Sequence, residues 1–176
     1  MNKLYSLVSR YALILIAGLG NLFIFYKVFY PLTFFPVEFI LNIFGDVNSF
    51  YRLNLILFNT TAVDIVAACV AGSAYYLIFI LVMSTAGLKI LKRIKILLFS
   101  TLIFLVFNII RIVLMALIAG SVYFEQVHMF FWYFISIIFV VLIWFFAVKL
   151  FKIKEIPIYS DLKYLLKQTK KTKRNK

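Results

Sequence analysis

The sequence predicts an all-α integral membrane protein, a multi-pass helical bundle of four spans with a broken or re-entrant segment on its outer side. Three observations lead there. Hydrophobic residues make up 65% of the chain and charged ones only 14%, with a mean hydropathy of +1.06. Soluble domains run nearer half apolar and a quarter charged, and 176 residues give too little interior to hide this excess. The apolar residues also gather in stretches of about 20, the length that crosses a bilayer as helix. Finally, the 19 Lys and Arg against 6 Asp and Glu, a net charge of +13, sit in short blocks between those stretches. Such blocks mark cytoplasmic loops better than they mark a nucleic-acid surface, and no nucleic-acid partner is expected. An ordinary cytosolic fold, a disordered chain and a disulfide scaffold are excluded; the single Cys69 can form neither an internal bridge nor a thiolate metal site alone.

The first span is residues 11–30, apolar apart from Lys27. It follows Lys3 and Arg10 as a signal peptide would, but its apolar run is too long for one and no small-x-small site follows, so it is read as uncleaved. Residues 31–59 carry Pro31, Pro36, Gly45, Asp46, Asn48 and Arg52 between two apolar pieces, 34–44 and 53–58. Pieces this short lie at the interface or re-enter, or else pair as two short helices. The second, third and fourth spans are 64–87, 96–120 and 128–150. Together residues 1–151 form the transmembrane domain, and 152–176 a basic, solvated and partly disordered cytoplasmic tail touching anionic lipid.

Orientation follows from charge. Lys3 and Arg10 precede the first span, Lys89, Lys92, Arg93 and Lys95 fill the loop between the second and third, and ten more basic residues lie from Lys149 to Lys176. Four spans with both termini inside put all three blocks in the cytoplasm and leave Glu38, Asp46, Asp64 and Glu125 outside.

That topology brings three unusual residues to the outer leaflet. Cys69 lies five residues below Asp64, roughly 7–8 Å under the outer end of its span. Arg111 sits nine residues before Gly120, roughly 13 Å deep, with a stem able to snorkel outward. His128, the one histidine, opens the last span at the outer surface. A charge at Arg111's depth costs roughly 2.5–3.5 kcal/mol even on the lenient insertion scale, which makes it a functional candidate. A thiol reacts as thiolate, an anion that a guanidinium favours, and an imidazole moves protons near neutral pH. Nucleophile, charge stabiliser and proton carrier are what acyl transfer through a thioester requires.

The bland assignments are equally definite. Cys69 would be a packing residue, His128 an interface residue, and Arg111 the partner of Asp64 or Glu125 in a structural ion pair. Asn108, one turn from Arg111, would orient it or bond a neighbouring helix, and Gly72 and Ser73 would permit close packing. No phosphate loop, metal-ligand spacing or repeat is present, so no cofactor or metal is expected.

The run Ala68-Cys69-Val70-Ala71-Gly72, then Phe107-Asn108-Ile109-Ile110-Arg111-Ile112, then His128 in a following apolar span, resembles the exosortase/archaeosortase family over residues 62–140. Its members are multi-pass cysteine transpeptidases of prokaryotic membranes. The resemblance implies that Cys69, Arg111 and His128 are catalytic, with Asn108 in support. It implies as partners secreted proteins bearing a C-terminal motif, an apolar span and a basic cluster, cleaved at the outer face and passed to a lipid or other amine. The chain departs from the family in the residues flanking Cys69, which is preceded by Ala67-Ala68 and followed by Val70-Ala71 before Gly72. A non-catalytic membrane subunit and a small transporter in which Arg111 reads an anion are the two other functions the residues allow.

Overall fold

The computed structural model describes residues 3–131 and 136–174. Helix α1 (Lys3–Gly18) ends in a left-handed stretch, with φ of 71° at Gly20, 53° at Asn21 and 61° at Leu22. The helix is interrupted there, and α2 (Phe23–Phe44) begins. The predicted span 11–30 is therefore two helical pieces joined at residues 19–22.

Helix α2 then runs unbroken through residues 31–44, the first part of the region 31–59 expected to be broken. Pro31 and Pro36 lie inside it, although each lacks the N–H that a helix interior uses. Tertiary packing offsets that loss. Phe34, Val37 and Leu41, spaced three and four apart on one face, are fully buried against β-strand and helix neighbours.

The chain is also not all-α. Residues 47–64 form a three-stranded antiparallel sheet of β1 (Val47–Phe50), β2 (Leu55–Phe58) and β3 (Thr61–Asp64), in the order β1-β2-β3. A single 3-10 turn, Tyr51–Leu53, and Asn54 at φ 59° carry β1 into β2. Asn59, at φ 51°, opens the tight turn into β3, and asparagine tolerates that conformation better than most residues. Ile56 and Phe58 of the central strand point into the core shared with α2, while Leu55 and Leu57 are half-buried on its other face. The apolar piece 53–58 is thus neither re-entrant nor helical.

After the sheet come α3 (Ala67–Val70), α4 (Gly72–Met83), α5 (Ile90–Ile118), α6 (Phe124–Phe130), α7 (Ser136–Leu150) and α8 (Tyr159–Arg174). Among the described residues two helices, α2 and α5, are long and apolar enough to cross a membrane; α5 starts six residues before the predicted third span. The predicted second span starts in β3 and is interrupted at Ala71. The fourth runs through 132–135, which lie outside the described residues. The tail is more ordered than expected, since α8 occupies much of it.

Two cores define two ends. Phe34, Val37, Leu41, Ile56, Ile65 and Ile112 pack around the sheet. Tyr75, Ile78, Val82, Ile96, Phe104 and Val140 pack between α4, α5 and α7, with Tyr75 stacked on Phe29 at 3.6 Å between ring centroids. At the far end of α4, Arg10 donates to the Met83 carbonyl at 3.1 Å and pairs with Asp161 at 2.8 Å. Arg93 donates to the carbonyls of Val82, Met83 and Thr85 at the same place. The N-terminal helix, the α4–α5 loop and the start of α8 therefore meet at one end. The sheet and Cys69 lie at the other, about 18 Å away along the 12 residues of α4.

Candidate functional site

Cys69 sits in the single turn α3, and the reason that turn ends is local. Ala71 takes the left-handed conformation, φ 57° and ψ 43°, which costs an alanine roughly 1–2 kcal/mol. Its N–H closes the turn on the Ala67 carbonyl, and α4 starts one residue later. In an unbroken helix the carbonyls of Ala68 and Cys69 would accept from the N–H groups of residues 72 and 73. Here they accept from side chains of α5 instead. Asn108 Nδ2 donates to the Cys69 carbonyl at 2.8 Å, and Arg111 Nη2 reaches the carbonyls of Ala68 and Cys69 at 3.4 and 3.3 Å. Asn108 and Arg111 lie one turn apart on α5, so one helix face covers both exposed acceptors. Asn108 is 3% exposed, and a polar group buried so deeply needs such a partner.

The thiol itself turns toward the sheet: Cys69 Sγ donates to the Asp64 carbonyl at 3.8 Å. Between sheet, α5 and α6 lies a cavity of about 530 Å³, and Cys69, Arg111 and His128 all line it. His128 is carried by α6, where its ring stacks on Phe124 at 5.5 Å between centroids and 5° between planes. Ala62, Val63 and Asp64 form another wall, and Ser73, Met115 and Phe131 add to the lining. Three residues separated by 42 and 17 positions in sequence thus share one space. The supporting role of Asn108 is specific: it holds the backbone of the cysteine turn. The contacts described for Arg111 are with carbonyls, where a structural ion pair with Asp64 or Glu125 was the bland expectation.

Sequence reasoning did not find Tyr26. This residue lines the cavity from α2, and its ring lies against Gly72. A Cβ placed on Gly72 would meet Tyr26 ring carbons at 2.7, 2.8 and 3.0 Å, and a rigid ring cannot yield as a flexible chain end does. Gly72→Ala is therefore expected to destabilise the fold by about 1–3 kcal/mol through overpacking. Thermal melts should show the loss and show most of it restored in Gly72→Ala/Tyr26→Ala. No recovery in the double variant would mean that Gly72 is needed for some other reason. Nothing in the sequence marks Tyr26 apart from the other ten tyrosines. Its partner Gly72 was legible as a close-packing position.

No family model, curated protein or solved structure matches the chain.

Proposed function

We propose that this chain is a four-span membrane cysteine transpeptidase that cleaves C-terminal sorting signals of secreted proteins at the outer face. One observation carries the reading: Cys69, Arg111 and His128, from three separate elements, line one cavity. In this reading α1 with the first part of α2, α3 with α4, α5, and α6 with α7 cross the bilayer, and both termini are cytoplasmic. The clustering of Arg10, Arg93 and the start of α8 at the end remote from Cys69 supports that orientation. The outward face of α5, where Leu98, Leu102, Ile110 and Leu114 are exposed, supports contact of that helix with lipid.

The chemistry runs as two acyl transfers. His128 takes the proton of Cys69, and Sγ attacks the scissile carbonyl, forming the C–S bond while the oxyanion is stabilised by Arg111. Collapse breaks the C–N bond, the amine leaves with the proton from His128, and a thioester remains. An acceptor amine, from a lipid or another source, then attacks the thioester carbonyl and gives its proton to His128. The C–S bond breaks and the thiol is restored.

The test is an intact-mass comparison of membrane and surface proteins from cells carrying wild type or Cys69→Ser. Proteins that keep a C-terminal apolar span and basic cluster only in the variant support the reading, and the wild-type product mass identifies the acceptor. Identical tails at normal protein levels would sink it. A second reading, a non-catalytic membrane subunit, is favoured by one observation: Arg111 and Asn108 already serve the carbonyls of the Cys69 turn. Under it Cys69→Ser is silent.

A further inference from the structure

We propose that the substrate binds as an extended strand added to the open edge of β3, which leads its scissile carbonyl to Cys69. The proposal rests on the transpeptidase reading and names how that site holds its peptide. The sheet order β1-β2-β3 leaves β3 at an edge, with one row of main-chain groups unused by the sheet. Register identifies that row. Only Asn59 and Thr60 separate β2 from β3, so Phe58 and Thr61 are the hydrogen-bonded pair closing the turn. Pairs alternate in an antiparallel ladder, which makes Ile56 and Val63 the next bonded pair and turns the N–H and C=O of Ala62 and Asp64 away from β2.

A separate contact agrees with this. The Asp64 carbonyl, outward by register, is the group that accepts from the Cys69 thiol. The nucleophile therefore stands at the end of the open edge. Ala62 and Asp64 are exposed and line the cavity shared by Cys69, Arg111 and His128, so a peptide strand paired there lies in the same space as the reacting groups. Strand addition draws its affinity from main-chain hydrogen bonds, leaving side-chain choice to pockets along the edge.

The experiment uses the full-length protein in detergent and peptidyl chloromethyl ketones, whose chloride is displaced by the Cys69 thiolate. Acetyl-tetra-alanyl chloromethyl ketone is expected to alkylate Cys69 about tenfold faster than acetyl-alanyl chloromethyl ketone, the effect of one or two net main-chain hydrogen bonds. Methylating the peptide amides one at a time should remove this gain only at alternate positions. Ala62→Pro, which deletes an outward N–H and leaves the β2 ladder intact, should remove it while iodoacetamide still labels Cys69 at the wild-type rate. Absence of a chain-length gain, or an equal effect of every N-methyl group, overturns edge pairing. Because the methylated peptides act on the unaltered protein, the result does not depend on how Ala62→Pro folds. The two readings fail separately. Unchanged cellular C-termini in Cys69→Ser remove the transpeptidase reading whatever the peptides do. Altered C-termini with no alternation remove only the edge pairing.

Discussion

Arg111→Ala is expected to slow C-terminal processing about 10²–10³-fold, the usual loss when one preorganised donor to a developing oxyanion is removed. On the transpeptidase reading the side chain has two jobs, which comparison with Asn108→Ala separates. It donates to the carbonyls of Ala68 and Cys69, and it lines the cavity into which an oxyanion would project. The first job is shared with Asn108, whose bond to the Cys69 carbonyl is shorter at 2.8 Å, so the cysteine turn keeps one support when Arg111 is lost. Stability should therefore fall by only about 1–2 kcal/mol, the net worth of the hydrogen bonds lost, since the Cys69 carbonyl keeps Asn108 and the Ala68 carbonyl is exposed. Asn108→Ala should show the reverse balance, with a similar stability loss and a smaller loss of processing. Arg111→Lys keeps the charge but not the planar fork of donors, and is expected to recover part of the rate. Processing rates and thermal melts measured together decide the matter. If Arg111→Ala lowers processing only in proportion to the folded fraction, the guanidinium is a backbone support and no more.

How much of this was open to inspection in the sequence depends on what each residue stands out against. Cys69, Arg111 and His128 are rare polar groups in apolar surroundings, and the charge blocks lead to the expectation that they share one side of a bilayer without any knowledge of packing. Apart from Asn108, their supports were hidden. Ala71 breaks a helix in the left-handed conformation although alanine is the best helix former, so local preference pointed the wrong way and tertiary contacts decided. The sheet was hidden for a related reason. Leu55-Ile56-Leu57-Phe58 is apolar on both faces, so it shows no alternation, and a short apolar run does not separate strand from helix. Pro31 and Pro36 suggested an interruption, yet the buried face of Phe34, Val37 and Leu41 keeps α2 continuous. Asn54 and Asn59, either side of β2, were the available turn signals.

Arg93 shows the same limit from the other side and yields the largest stability effect expected outside the site. By sequence it is one of four basic residues that orient a loop. In the fold it is 5% exposed and donates to three carbonyls, those of Val82, Met83 and Thr85, beside the Met83 carbonyl that also takes Arg10. The last carbonyls of a helix have no partner within it, and here two guanidinium groups supply one. Arg93→Ala is thus expected to cost about 2–3 kcal/mol, the scale of hydrogen bonds to a charged donor at a buried position. For a chain of this size that lowers the melting temperature by roughly 5–10 °C. Lys95→Ala removes the same charge from the same end of α5 at an exposed position, and should change stability by no more than about 0.5 kcal/mol. The comparison isolates capping from net charge, because both variants remove one positive charge from the first turns of α5. Equal destabilisation by the two would show that charge at the start of α5, and not the bonds to the end of α4, sets stability at this end. A deep loss for Arg93→Ala alone, with Cys69 still alkylated at the wild-type rate in the folded fraction, would place the brace and the reactive end in separate parts of one bundle.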